Sequence, residues 1–144
     1  MLTKPIMLIL ALVATREVPH SRVEAPRVTM EHLFAAVSDV ESGGNWRAFK
    51  RDEDAAGIVQ IRPCLVADCN RIVGHRRWRL QDRWDRRQSE EMFKTYLSHY
   101  GRAYRRETGR EATAETYARM WQGGPAGWRK ASTLKYWSKV RARL

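Results

Sequence analysis

The sequence predicts a mainly α-helical domain with at most a short β-turn segment. Three observations carry that expectation. Apolar residues recur at three- and four-residue spacing, capping residues precede those stripes and Gly or Pro follows them, and a single stretch is short, Gly-containing and β-branched. At 144 residues the chain has room for one core and too little for two domains of ordinary size.

Residues 1–28 stand apart from the domain. An apolar run over residues 6–14 follows one Lys, and "ALVA" offers small residues for cleavage. The run is too short to span a bilayer and has the length of a secretory h-region, while a short strand or helix packed on the domain fits equally. Residues 15–28 are polar, contain Pro19 and Pro26, and read as a linker. The domain then occupies residues 29–144. Thr29 is an N-cap with Glu31 in the first turn, Met30, Leu33, Phe34 and Val37 form one face, and Gly43 and Gly44 stop the helix. "AAGIVQI", residues 55–61, reads as a strand or an extended turn. Pro63 suits the first position of a second helix, with Leu65, Val66, Cys69, Ile72 and Val73 inward and Gly74 at its end. "HRRWRLQDRWDRR", residues 75–87, has no period and reads as a long ordered loop. Ser89, Glu90 and Glu91 open a third helix whose stripe is Met92, Phe93, Tyr96, Leu97 and Tyr100. Thr113 and Glu115 open a fourth, stopped by "GGP" at residues 123–125. A last helix places Leu134, Trp137, Val140, Arg141 and Leu144 on one side.

Composition narrows the function classes. Twenty-seven Lys and Arg against sixteen Asp and Glu leave a net charge of +11, which favours a polyanionic partner: nucleic acid, anionic lipid or an acidic cell-wall polymer. His32, His75 and His99 lack ligand spacing, so neither a metal site nor a cofactor is expected. Cys64 and Cys69, five apart, fit neither a CxxC redox pair nor a zinc knuckle; they read as small core residues, with a disulfide open to an exported chain.

One residue breaks the pattern of the first helix. The step after Val37 on its apolar face is Glu41. Burial disfavours an ionised carboxylate, and the negative end of the helix dipole opposes it further, so a Glu held there keeps its proton to higher pH. A protonated carboxylic acid near neutral pH is what glycoside cleavage uses to protonate the leaving oxygen. On periodicity alone, a helix that ends a turn earlier and leaves Glu41 in solvent is the favoured reading, because a Glu before a helix-ending Gly is common.

Three motifs bear on that choice. "ESGG" (residues 41–44), "AAGIVQI" (55–61) and "ARMWQGGPAG" (118–127), in this order, resemble the lysozyme-like superfamily, nearest to soluble lytic transglycosylases and goose-type lysozymes. The resemblance covers residues 29–144 and implies an α-rich lysozyme-like catalytic domain with a substrate cleft. It implies cleavage of peptidoglycan glycan strands at the β-1,4 bond between N-acetylmuramic acid and N-acetylglucosamine. Glu41 matches the catalytic general acid/base and Ser42 a residue hydrogen-bonded near it. Ile58, Gln60 and Ile61 match the turn that lines the substrate floor. Trp121 and Gln122 stand where the family has Tyr and Asn: an aromatic wall is kept, and a hydroxyl able to contact the Glu is lost.

Among Asp52, Glu53 and Asp54, the last is nearest the turn and is the expected auxiliary carboxylate; a solvated acidic loop is the alternative. Trp84, in the Arg-rich stretch, is the expected sugar-stacking tryptophan. The reaction expected on this pattern is single-Glu lytic transglycosylation, with hydrolysis as the other outcome. A monomer acting on peptidoglycan is expected, secreted or periplasmic if residues 1–14 are a signal peptide and otherwise delivered to the wall. The competing class is a basic nucleic-acid-binding module without enzymatic activity, in which Arg and Trp of residues 75–87 meet phosphates and bases.

Overall fold

The computed structural model describes residues 27–144; the apolar segment over residues 1–14, with its signal-peptide reading, and most of the linker lie outside the described residues. The chain is mainly helical, with five α-helices and one two-stranded sheet among the described residues. Helix α1, Met30–Ser42, starts where the Thr29 side chain accepts the His32 N–H and ends where Gly43, at φ 63°, donates its N–H to the Asp39 carbonyl. It therefore runs through Glu41, and Leu33, Phe34, Ala36 and Val37 face the core.

"AAGIVQI" divides between strand and turn. Strand β1, Phe49–Lys50, pairs antiparallel with β2, Ala55–Ala56, and Ala56 bridges to Ile61. Between Ala56 and Ile61 the chain makes a tight turn through Gly57 at φ 82° and Gln60 at φ 56°. Gly57 is required twice over: its φ is left-handed, and a Cβ there would lie 1.8 Å from the Arg83 carbonyl oxygen. Helix α2, Pro63–Val73, begins with its proline and stops at Gly74.

Residues 75–87 depart from the expected loop. Asn70 fastens the stretch, its amide accepting the N–H groups of Arg77 and Trp78 and donating to the Trp78 carbonyl. Trp78 is buried and donates Nε1–H to Gln88, and a 3-10 helix spans Leu80–Trp84. Helix α3, Arg86–Thr108, opens three residues before the expected Ser89, because Asp85 is its N-cap; Ser89 is buried and donates to the Arg83 carbonyl. The signal for an earlier start is Asp85 itself, a preferred cap residue.

Helix α4, Ala114–Gly123, is capped by Thr113. Helix α5, Leu134–Arg141, keeps part of the expected face, with Val140 buried and Trp137 packed against the core, but Tyr136 is buried where Leu134, Arg141 and Leu144 were expected, and those three are exposed. Two 3-10 turns between α4 and α5 redirect the chain, so the stripe is set by docking on α1 and α4 rather than by apolar count. The core joins Leu33, Phe34 and Val37 of α1 to Met92, Phe93 and Leu97 of α3 and Met120 of α4. Cys64 is exposed and Cys69 buried, and both are free thiols. Among the described residues no helix is long and apolar enough to cross a membrane.

Candidate active site

A cleft of about 1000 Å³ opens between the end of α1, the hairpin, α2 and the end of α4, and Glu41, Glu53, Gln60, Trp121 and Gln122 are among the residues that line it. Glu41 reaches it from the last turn of α1. Its Oε1 accepts a hydrogen bond from the Tyr136 hydroxyl at 2.8 Å, which spans from α1 to α5. Burial pushes the Glu41 carboxyl above the usual carboxylate range. The Tyr136 hydrogen bond and the nearby cations Lys50 and Arg62 oppose that rise, and the charge of Glu53 adds to it. Tyr136 is itself held well above the ordinary tyrosine range, by burial first and then by Glu41, so it remains a hydrogen-bond donor.

The turn below Glu41 is built from main-chain carbonyls. Ser42 donates to the Ile58 carbonyl at 2.7 Å and so ties the end of α1 to the turn. Gln60 keeps its left-handed backbone by donating Nε2–H to the Gly57 and Ala48 carbonyls at 3.0 and 3.2 Å. Trp121 donates Nε1–H to the Val59 carbonyl at 3.2 Å and packs against Phe93 and Tyr96. Its wall of the cleft is thus fixed from three sides.

Four expected site residues lie elsewhere. Ile58 and Ile61 are buried in the core, 6% and 0% exposed, and support the floor from beneath rather than facing a ligand. Trp84 is half-buried against Phe49 on the far side of the hairpin and is not part of the cleft lining. Asp54 turns away: its carboxylate meets Arg83 at 3.2 Å, in the same cluster in which Arg83 also holds the Asp54, Ile61 and Leu80 carbonyls. The carboxylate that does face the cleft is its neighbour Glu53, ion-paired with Arg62. The 3-10 turn Arg51–Glu53 ends at Asp54 in a left-handed conformation, φ 46°, and this reversal puts adjacent carboxylates on opposite sides.

Two contributors were missed from sequence. Tyr136 supplies, from α5, a hydroxyl that donates to Glu41; the available signal was Tyr136 and Val140 at four-residue spacing. Lys50, exposed at the end of β1, is the other. Of the stretch on which the competing nucleic-acid reading rests, Trp78 and Arg83 are buried, whereas Arg76, Arg77, Arg79, Arg86 and Arg87 are exposed. No group of metal-ligating side chains occurs among the described residues.

A helical domain with a cleft and one desolvated carboxyl group seated at a helix end is the arrangement that the resemblance to the lysozyme-like superfamily implies. Comparison with known proteins gives a short match in sequence and a likeness of fold. No family model matches the chain. A stretch of 41 residues, 28% of the chain, is 49% identical to a lysozyme of Magallana gigas, and it spans only 30% of that relative's length. In fold, the chain matches a chain of the crystal structure of Aeromonas hydrophila PliI in complex with Meretrix lusoria lysozyme. The TM-score is 0.66 over 83% of this chain and 93% of that one, at 22% identity, so the likeness is one of fold.

Proposed function

We propose that the chain cleaves peptidoglycan glycan strands at the β-1,4 bond between N-acetylmuramic acid and N-acetylglucosamine, with Glu41 as general acid. The observation that carries this reading is the Glu41 carboxyl group, desolvated at the wall of a cleft and held by the Tyr136 hydroxyl. A proton retained there is available to the leaving sugar oxygen as the bond breaks. Glu53, in the same cleft and within electrostatic reach of Glu41, supplies the second carboxylate that hydrolysis uses to stabilise the developing positive charge or to activate water. Its presence favours hydrolysis over the single-Glu transglycosylation expected from the motifs, in which Glu41 acts as acid and then as base while the sugar's own 6-hydroxyl attacks. Such an enzyme acts at or outside the cell envelope, where its substrate lies.

Mass spectrometry of a wall digest separates the two reactions. Hydrolysis gives reducing-end muropeptides, and transglycosylation gives anhydro products lighter by one water. Glu41→Gln abolishes either, lowering the rate at least about a hundredfold with the fold intact. Parental clearing of cell walls by that variant would overturn the assignment.

A second reading comes from the solved neighbour, a complex of PliI with a lysozyme: a lysozyme-binding role. It needs no seated acid. Inhibition of an added lysozyme, unchanged by Glu41→Gln, is the result that would favour it.

A further inference from the structure

We propose that Lys50 is the residue by which the cleft selects glycan strands bearing carboxylates over neutral N-acetylglucosamine chains; this rests on the reading of the cleft as a glycan-cleaving site. The cleft lining carries four cations, Lys50, Arg62, Arg71 and Lys130, and beside Glu41 two carboxylates, Glu53 and Asp68. Three of the cations are already engaged. Arg62 is ion-paired with Glu53. Arg71 grips Asp68 through Nε and Nη2 at 2.8 and 2.6 Å and also reaches the Tyr100 hydroxyl. Lys130 donates to the Gly123 carbonyl at 2.7 Å.

Lys50 differs from these three. Among the described residues its ammonium has neither a carboxylate within ion-pair distance nor a hydrogen-bond acceptor such as the one that holds Lys130, although its charge is felt at Glu41. The backbone explains its direction. Successive side chains of a strand point to opposite sides, so Phe49 packs on Trp84 while Lys50 turns into the cleft. An exposed ammonium beside the reacting bond, with no acid of its own, fits an anion that the ligand brings. The muramic acid residues of the proposed substrate carry such groups, as the lactyl carboxylate or the stem-peptide carboxylates; a chitin-type chain carries none.

The test uses binding, measured by calorimetry on the Glu41→Gln protein so that nothing is cleaved. The probes are a tetrasaccharide of alternating N-acetylglucosamine and N-acetylmuramic acid with free lactyl carboxylates, and chitotetraose. Adding Lys50→Gln is expected to weaken the acidic sugar about fivefold and leave the neutral one within about twofold, as one partly solvated ion pair allows. Lys50→Arg is expected to retain the preference. Equal affinities for the two sugars before Lys50 is changed, or equal losses after it, would overturn the proposal while the glycan reading stands. If the Glu41→Gln protein binds neither sugar, the glycan reading falls and the proposal with it. A Lys50→Gln enzyme whose pH–rate profile moves while its sugar preference does not would assign Lys50 to tuning Glu41, and would equally overturn it.

Discussion

At Glu41 burial and a hydrogen bond pull in opposite directions. Burial favours the neutral acid, whereas the Tyr136 hydroxyl, by donating, favours the carboxylate. Removing the donor therefore lets the pKa rise further. For a general acid the rate falls as pH rises through that pKa, so Tyr136→Phe is expected to move the basic limb of the pH–rate profile to higher pH. A limb that stays in place, or moves down, would separate Tyr136 from the acid. The same shift bears on stability. Because the folded-state value lies above the ordinary one, the folded protein holds this proton more tightly than the unfolded chain. Its stabilising contribution is complete below the ordinary glutamate value and is lost as pH rises through the raised one. Glu41→Gln removes that loss, so the melting temperature of the variant should gain on the parent more at pH 8 than at pH 4. Equal differences at both values would mean that the carboxyl is solvated.

The elements show which parts of the site sequence reasoning could reach. Thr29, the 33–34–37 face and Gly43 marked α1, because caps and period are local properties, while the inward place of Glu41 was reachable only through the ordered motifs. Gln60, Trp121 and Gln122 were reachable through ordered motifs and do line the cleft. The choice of Asp54 over Glu53 failed because a single left-handed residue decides which carboxylate faces inward, and no spacing encodes that. Trp78 escaped for a related reason: the Asn70 amide that folds its segment into the core acts across eight residues without a period. The turn between Ala56 and Ile61 contains the most demanding glycine among the described residues. Gly57→Ala forces a Cβ onto the Arg83 carbonyl in a left-handed conformation. It is expected to cost at least about 3 kcal/mol in urea unfolding. A variant that melts with the parent would show that the turn can move away from the Leu80–Trp84 segment.

The whole molecule carries its +11 charge mostly outside the cleft, in exposed Arg and Lys. Such a field draws a polyanionic wall toward the protein over a range that salt shortens to about 8 Å at physiological ionic strength. Cleavage of whole walls should therefore decline as salt rises, while cleavage of a short soluble glycan, held by contacts within the cleft, changes little. Equal salt sensitivity for both substrates would remove the steering role.

The bond between Glu41 and Tyr136 joins residues 95 positions apart, and Arg143, just past the end of α5, is ion-paired with Asp39 of α1. During synthesis the acid leaves the ribosome long before the residue that orients it. A nascent chain that has formed α1, the hairpin and α2 already holds both carboxylates, yet its cleft lacks the α5 hydroxyl until residue 136 has emerged. On the proposed function, activity waits for α5: a chain stalled before residue 136 presents an acid without its partner, and a graft that holds α5 away from α1 leaves a folded cleft with its proton donor unset.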